Sequence, residues 1–493
     1  MLNKLFSATW LLLFCGALFA DVKPANIITD NMVLQRGMPV RIWGTADAGE
    51  HVSVKFMNSA ASAVADKNGY WRVDLPAPKK YVKEGADLVI QGKNKIVLKD
   101  ILVGEVWMGS GQSNMEYHIR HVKDIEKYVK ENGVKNVRYF MGKANGSETP
   151  KGMHELPSES KWEKFDAENF KANREMSIIL TFFAKRLSEE LGVPIGVINV
   201  SFGGANLETW LSPDAIAEAG TGEDCAKLLE RCKQWHKDDI KRWEALPDAE
   251  RAKRRFPRVN YESRPSNSFN AMVHPLIPYA FKGLLWYQGE MNSGMEMYMK
   301  EFPAYAKMMR KLFENPKMPI YTVQLPDYKN PNWANTRDVQ RRLADIVENS
   351  EVAITIDGHE MDLHPQDKTK VIDRLSRLAL SETYGRKDIV ARSPMPAKIK
   401  RDGNFINVKF KNFYKGLKLN GGSEARTFEV GDENGKFFAA NAKIASKDSV
   451  QVEIPKEVSN PVKIRYAWAA DPDVNLYNSG DLPASPFEEN IEN

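Results

Sequence analysis

Between residue 101 and about residue 390, short apolar runs alternate with amphipathic stretches of helix length, and this alternation constrains the chain more than any other feature. The apolar runs lie at 101–108, 137–140, 197–200, 284–286, 320–323 and 352–356. Between them, residues 176–191, 297–313 and 336–347 repeat apolar positions at helical spacing. Pro365 is placed to open a last helix, where its missing N–H costs nothing. Strands that alternate with helices predict an α/β domain, a parallel sheet covered on both faces. In such sheets, sites form beyond the carboxyl ends of the strands.

The flanks read differently. Residues 21–100 alternate at period two, as in 40–43 and 52–56, and Asn68-Gly69 predicts a hairpin. Runs at 88–90 and 96–98 complete an N-terminal β-sandwich module, with Trp43 and Trp71 expected in its core rather than as a sugar platform. Residues 391–493 return to β, with hairpins expected at Asp402-Gly403 and Asn434-Gly435 and a tail around Asn475–Asn478 lying back on the body. Within the α/β region, residues 213–258 are helical and highly charged, and are expected to form an inserted helical pair with a solvated face.

Residues 1–20 carry Lys4, an apolar run and a small residue at Ala20, the pattern of a secretory signal peptide. A secreted or periplasmic protein is therefore expected. Lipoprotein processing at Cys15 is disfavoured by Phe14 before it. No later run reaches the ~18 apolar residues of a membrane span. A net charge of +5, with no basic stripe interleaved with aromatics, gives no reason to expect nucleic acid as a partner. Cys225 and Cys232 fall on one predicted helix, ~10 Å apart at 1.5 Å per residue. That separation is too long for a disulfide, so two buried free thiols are expected.

The chemistry gathers at strand ends. In Asp100–Glu116, DILVGEVWMGSGQSNME, an apolar strand breaks into Gly109-Ser-Gly-Gln-Ser-Asn114 and delivers the Ser113 hydroxyl to the mouth of the sheet. Gly111 permits a sharp turn and a close approach. The stretch resembles the nucleophile turn of serine hydrolases, although Met115 stands where the G-x-S-x-G elbow has its second glycine. The alternative is an ordinary Gly/Ser loop. A serine nucleophile needs a base, an orienting group and oxyanion donors. His364 follows the last strand, with Asp362 two residues before it. Asp357 and Glu360 compete as orienters, His118 and His121 compete as bases, and a plain surface His–Asp pair is the alternative. Gly203-Gly204 end another strand and can offer backbone N–H groups, and Gln288 ends a third with a side-chain amide. Four such turns at the ends of successive strands fit one acyl-transfer site. Metal-ligand spacings and nucleotide-binding patterns are missing, so neither a metal nor a cofactor is expected.

These motifs resemble the sialate O-acetylesterase family, a carbohydrate-esterase branch of the SGNH hydrolase superfamily. The resemblance rests on Gly109-Ser-Gly-Gln-Ser-Asn-Met115, Ser201-Phe-Gly-Gly204 with Glu208 and Trp210, Trp286-Tyr-Gln-Gly-Glu290 with Asn292, and Asp362-Leu-His-Pro365 with Lys368. Asn270–Pro275 and Arg337 with Gln340 extend it, so that it runs from about Met32 to Phe487. The resemblance implies a three-layer, flavodoxin-like SGNH hydrolase domain over 101–390, between the 21–100 and 391–493 β modules. It implies Ser113 as nucleophile, His364 as base and Asp362 as orienter. The oxyanion donors would be the Ser113 amide, a Gly203 or Gly204 amide and the Gln288 side chain. Substrate contacts would come from Gln112, Asn114, Glu208, Glu290 and Asn292. The implied substrate is an O-acetylated sugar or glycan: an acetylated sialic acid, or alternatively acetylxylan. An inactive carbohydrate-binding protein is the alternative of another class. Ala205, where the family usually has Thr, leaves the acetyl or sugar pocket open.

Overall fold

The computed structural model describes residues 21–492 apart from 122–126, 128, 130–135, 144, 167–174, 293–296 and 359. Residues 1–20, the expected signal peptide, lie outside the described residues. Six strands form the parallel core: β1 (Lys95–Gly111), β2 (Val137–Met141), β3 (Ile195–Ser201), β4 (Gly283–Tyr287), β5 (Ile320–Val323) and β6 (Ser350–Ala353). Their spatial order is β2-β3-β1-β4-β5-β6, every neighbouring pair is parallel, and Trp162–Lys164 adds an antiparallel edge beside β2.

Four helices cover the core: α1 (Ile178–Leu191), α2 (Tyr298–Leu312), α3 (Trp333–Ile346) and α4 (Thr369–Leu378). The period-two alternation of strand side chains decides which helix meets which face. Trp107, Val197, Leu285 and Tyr321 pack with Phe183 of α1 and Leu375 of α4. Met108, Ile198, Leu284 and Ile320 point the other way and pack with Phe302 and Met309 of α2 and Leu343 of α3. The apolar strands with helices on both sides match the expected α/β arrangement.

β1 holds the molecule together. Its last half lies between β3 and β4, with Met108 paired to both Ile198 and Leu284. Its first half pairs with Val82–Gln91 and Val33–Gln35 of the N-terminal β region. Every residue from Ile101 to Gly111 is buried. A second, three-stranded N-terminal sheet (Lys23–Pro24, Val40–Thr45, Tyr70–Leu75) buries Trp43 and Trp71 completely, as core residues.

Two local expectations are corrected. Asn68-Gly69 makes a turn, with the Asp66 carboxylate accepting from the Asn68 and Tyr70 amides. The strands on either side nevertheless enter different sheets: Ser59–Val64 pairs with His51–Phe56, and Tyr70–Leu75 with Val40–Thr45. The turn chemistry was right, but the sandwich interposed a crossover. The last helix begins at Thr369 and not at Pro365. Glu360 draws the amides of Gln366 (2.6 Å) and Asp367 (2.9 Å) into a loop, and Asp367 accepts from the Thr369 amide at 2.8 Å.

In the C-terminal region two four-stranded sheets enclose a core that also takes in Val352, Ile354 and Ile356, so this β region packs on the edge of the parallel sheet. The Asp402-Gly403 and Asn434-Gly435 hairpins are present. Leu476–Asn478 pairs with Leu417–Leu419, and the Asn478 amide donates to the carbonyls of Arg392 and Asn412. The charged 213–258 stretch forms helices at Pro213–Ala219 and Gly222–Glu244 and a single turn at Asp248–Arg251. The long helix buries Cys225, Leu228 and Cys232, and both thiols are free.

At the carboxyl end of β1 the backbone must turn against β4. Gly111 has φ +135°, and a Cβ there would collide with the Tyr287 carbonyl, the same oxygen that accepts from the Gln112 amide at 3.0 Å. Backbone strain and overlap together predict that Gly111→Ala loses roughly 2–5 kcal/mol of stability. Denaturant unfolding of the variant beside the parent chain checks this, and a loss below about 1 kcal/mol would contradict it.

Candidate active site

Ser113 opens a single helical turn, Ser113–Glu116, directly after β1. That turn is fixed from the side by α1. Ser177 caps α1 by accepting from the Leu180 amide at 3.3 Å, and its hydroxyl donates to the Met115 carbonyl at 2.6 Å. One small polar residue thus ends one element and anchors another. Because β1 is locked between β3 and β4, the Ser113 hydroxyl has a fixed position at the sheet's carboxyl edge.

The structure brings His364 to that hydroxyl. Its Nε2 lies 2.7 Å from Ser113 Oγ, across 251 residues of chain. The ring is half-buried, and its pKa lies below the ordinary histidine value. Burial is the main cause, the positive charge of Lys368 adds to it, and Asp362 opposes both. The neutral imidazole, the form that accepts a proton, is therefore favoured at neutral pH.

Asp362 meets the backbone of His364: its carboxylate accepts from the His364 amide at 3.0 Å. This bond shapes the loop and leaves the carboxylate exposed beside the ring, so Asp362 acts on the imidazole through charge. The competing orienters are engaged elsewhere. Asp357 forms a bidentate pair with Arg374, both contacts at 2.7 Å, and Glu360 holds the loop amides already described. Of the rival bases, His118 lies against Glu116, its Nε2 3.7 Å from Oε1, and His121 stacks beside it.

Two expected oxyanion donors are already bonded within the protein. The Gly203 amide donates to Glu116 Oε2 at 2.6 Å, although Gly203 itself adjoins Ser113. Gln288 is fully buried, with its Nε2 donating to Asn292 Oδ1 (2.6 Å), Gln112 Oε1 (3.2 Å) and the Ala205 carbonyl (3.2 Å). Gly204, with φ +79°, adopts the left-handed turn that glycine permits.

The residues expected to touch substrate mostly form a buried network beneath the turn. Asn292 Nδ2 donates to Glu208 Oε2 at 2.9 Å, and Asn292 Oδ1 accepts from the Leu207 amide at 2.8 Å. Gln112 Oε1 also accepts from the Met291 amide at 3.4 Å. Asn114, fully buried, donates to Glu290 Oε1 (2.6 Å) and to the Leu363 carbonyl (2.8 Å). Burial raises the Glu290 carboxyl to about 7, against the Asn114 hydrogen bond and the charge of Lys368. It also raises Glu208, against the Asn292 bond. A motif lists polar residues near a turn, but it does not say which face a ligand and which satisfy buried polar groups.

Sequence reasoning gave no role to Gln340, Arg337 or Lys368. Gln340 of α3 donates to the Gln288 carbonyl (3.0 Å) and accepts from the Leu325 amide (2.9 Å), joining the ends of β4 and β5. Arg337 is fully buried, donates to the Leu325, Ala469 and Ala470 carbonyls, and lies 3.3 Å from Asp327. For Gln340 and Arg337 the available signal was a charged or amide residue on the inward stripe of a helix.

Known proteins resemble this chain over most of its length. Residues 258–385 match the family model described as a carbohydrate esterase, sialic acid-specific acetylesterase. The sialate O-acetylesterase of Mus musculus is 25% identical, with 94% of this chain and 93% of that protein aligned. That of Homo sapiens is 24% identical over 94% of this chain and 91% of its own length. Among solved structures, a carbohydrate acetylesterase from Xanthomonas citri superposes with a TM-score of 0.80 at 27% identity, covering 95% of this chain and 99% of that one. Fold and comparisons together support a carbohydrate esterase, an ester hydrolase with a large mixed sheet and additional β-rich sheets. More particularly, the chain resembles the sialate O-acetylesterase family along nearly its whole length. Among the described residues, no helix is long and apolar enough to cross a membrane.

With burial and Lys368 both acting against the imidazolium, the His364 ring is expected to titrate with a midpoint below 6.5. Histidine-selective NMR across pH 4–8 measures it directly, and a midpoint at or above the ordinary value would contradict the electrostatics described here.

Proposed function

We propose that this protein is a secreted or periplasmic serine esterase that removes acetyl groups from sugar hydroxyls, and specifically a sialate O-acetylesterase. The reading rests on one observation, the 2.7 Å contact between His364 Nε2 and Ser113 Oγ at the carboxyl edge of a parallel sheet. The names of the aligned relatives and the matched family model support acetylated sialic acid as substrate. In this reading the sheet and its helices form a three-layer, flavodoxin-like SGNH hydrolase domain over 101–390. Residues 21–100 and 391–493 are its β modules, and residues 1–20 direct export.

Ser113 Oγ attacks the acetyl carbonyl carbon while His364 Nε2 takes the hydroxyl proton. The resulting oxyanion is met by the Ser113 and Gly204 amides. Gly203, bonded to Glu116, and Gln288, bonded to Asn292, hold the surrounding turns in place. Collapse of the tetrahedral intermediate expels the sugar hydroxyl, which takes the proton back from His364. Water then attacks the acetyl-serine with the same base, and acetate leaves. Asp362 favours the transient imidazolium through its charge. The route uses no metal or cofactor. General-base and oxyanion assistance of ~10²–10⁴ and ~10²–10³ are typical of such sites.

Acetate release from 9-O-acetyl sialic acid and from acetylated xylo-oligosaccharide, measured side by side, tests substrate and mechanism together. The sialate is expected to turn over faster. Ser113→Ala and His364→Ala are each expected to lower kcat by roughly 10⁴–10⁶-fold, with unchanged circular dichroism. Preference for the xylo-oligosaccharide would give acetylxylan as the substrate. Sugar binding without acetate release would make the chain a binding protein, and full activity of Ser113→Ala would remove the mechanism.

A further inference from the structure

Lys368 is a lysine buried to 2% exposure just before α4, and its Nζ donates to Asn114 Oδ1 at 2.6 Å. It sits over the rings of Tyr117, 4.9 Å from the centroid, and Tyr287, at 5.9 Å. A desolvated ammonium against two aromatic rings and one amide oxygen is an expensive arrangement for a surface-loop enzyme to keep without a use. Among the described residues, the side-chain acceptor of its hydrogen bond is Asn114, the residue next to Ser113. The amide nitrogen of that same Asn114 holds Glu290 Oε1 at 2.6 Å and the carbonyl of Leu363, the residue before His364, at 2.8 Å.

We propose that Lys368 is a positioning residue: through Asn114 it locks the Ser113 turn to the loop that carries His364, and its charge keeps that imidazole ready to accept a proton. The proposal rests on His364 serving as base to Ser113. Asn114 has one oxygen and one NH₂ group. With the oxygen committed to Lys368, both N–H groups point toward Glu290 and Leu363. Turning the amide over would put its oxygen against Glu290 Oε1 and the Leu363 carbonyl and its N–H groups against the Lys368 ammonium, so Lys368, Glu290 and Leu363 together fix the amide's orientation. The result is a tether between nucleophile and base that does not pass through the hydrogen bond used in the reaction.

The charged groups around this tether are few. Lys368 feels Glu290 from the end of β4, and Glu360, Asp362 and Asp367 from the His364 loop. His364 feels Lys368 and Asp362. Burial brings Lys368 down to about 8, with all four carboxylates acting to hold it up, so it is a cation at neutral pH. Removing it would leave Asp362 as the charge acting on His364, and the imidazolium would become easier to form.

Lys368→Met is the test, with acetate release followed across pH 5–9 and folding followed by circular dichroism. Loss of the tether predicts a fall in kcat of ~10²-fold with KM within about threefold. Loss of the charge predicts an acid limb of kcat/KM displaced upward by about half a pH unit or more. Lys368→Arg, which retains the charge, is expected to keep the acid limb of the parent enzyme. A kcat within twofold of the parent together with an unmoved acid limb in Lys368→Met overturns the proposal. If Lys368→Met does not fold, Lys368→Gln takes its place. It keeps a donor without the charge, and an unmoved acid limb there overturns the proposal equally. Ser113→Ala separates the two levels. If it stays active, the serine–histidine reading fails. If it is inactive while Lys368→Met behaves like the parent, only the role of Lys368 fails.

Discussion

Everything in this molecule depends on one strand being held from both sides over its last half. Lys95–Gly111 is hydrogen-bonded into the N-terminal β region at its start and between two parallel strands at its end. Where both edges are paired and both faces are buried, as toward Gly111, the strand cannot slip register without turning its apolar side chains to the wrong face. The residue that follows therefore inherits a position as well defined as the core. This is the physical basis for a serine whose hydroxyl meets an imidazole from the far end of the sheet.

The second layer of organisation is polar and buried. Asn114, Gln112, Gln288, Asn292, Glu208 and Glu290 share hydrogen bonds beneath the turn, so the ends of β1, β3 and β4 and the His364 loop are joined by side-chain amides and carboxylates. Buried polar groups are costly unless paired; this network is paired at most of its atoms, with Gln288 Oε1 and Glu290 Oε2 the exceptions among the described residues, and so favours one arrangement of the segments it joins. These hydrogen bonds hold the turns around Ser113 in place. The Asn114 amide, held between Lys368, Glu290 and the Leu363 carbonyl, belongs to this layer.

Much of the fold could be read along the chain because it follows from local periodicity. The runs at 197–200, 284–286 and 320–323 are strands with the neighbours that a strand–helix alternation demands, and Trp43 and Trp71 are core, as large apolar residues in alternating strands should be. Misreadings arose where a long-range contact outweighed a local signal. Asn68-Gly69 turns as its chemistry requires but joins two sheets, since pairing is decided by the sandwich. Pro365 suits a helix start, yet Glu360 captures the following amides and delays the helix to Thr369.

The sequence determined which chemical groups the strand ends carry: a hydroxyl after Gly111, glycines at 203 and 204, an amide at 288 and an imidazole at 364. These follow from the order of residues, because a strand of given length in a parallel sheet must end at the same edge as its neighbours. Only the tertiary structure decided which of those groups meet. It set Nε2 of His364 against Ser113, gave the Gly203 amide to Glu116, sent the Asp362 carboxylate to a backbone N–H and buried Lys368 against Asn114. The reason is physical. Periodicity fixes a residue's face and its end of the sheet, whereas a hydrogen bond requires donor and acceptor within ~3 Å and aligned, and segments hundreds of residues apart reach that condition only once the whole core has closed.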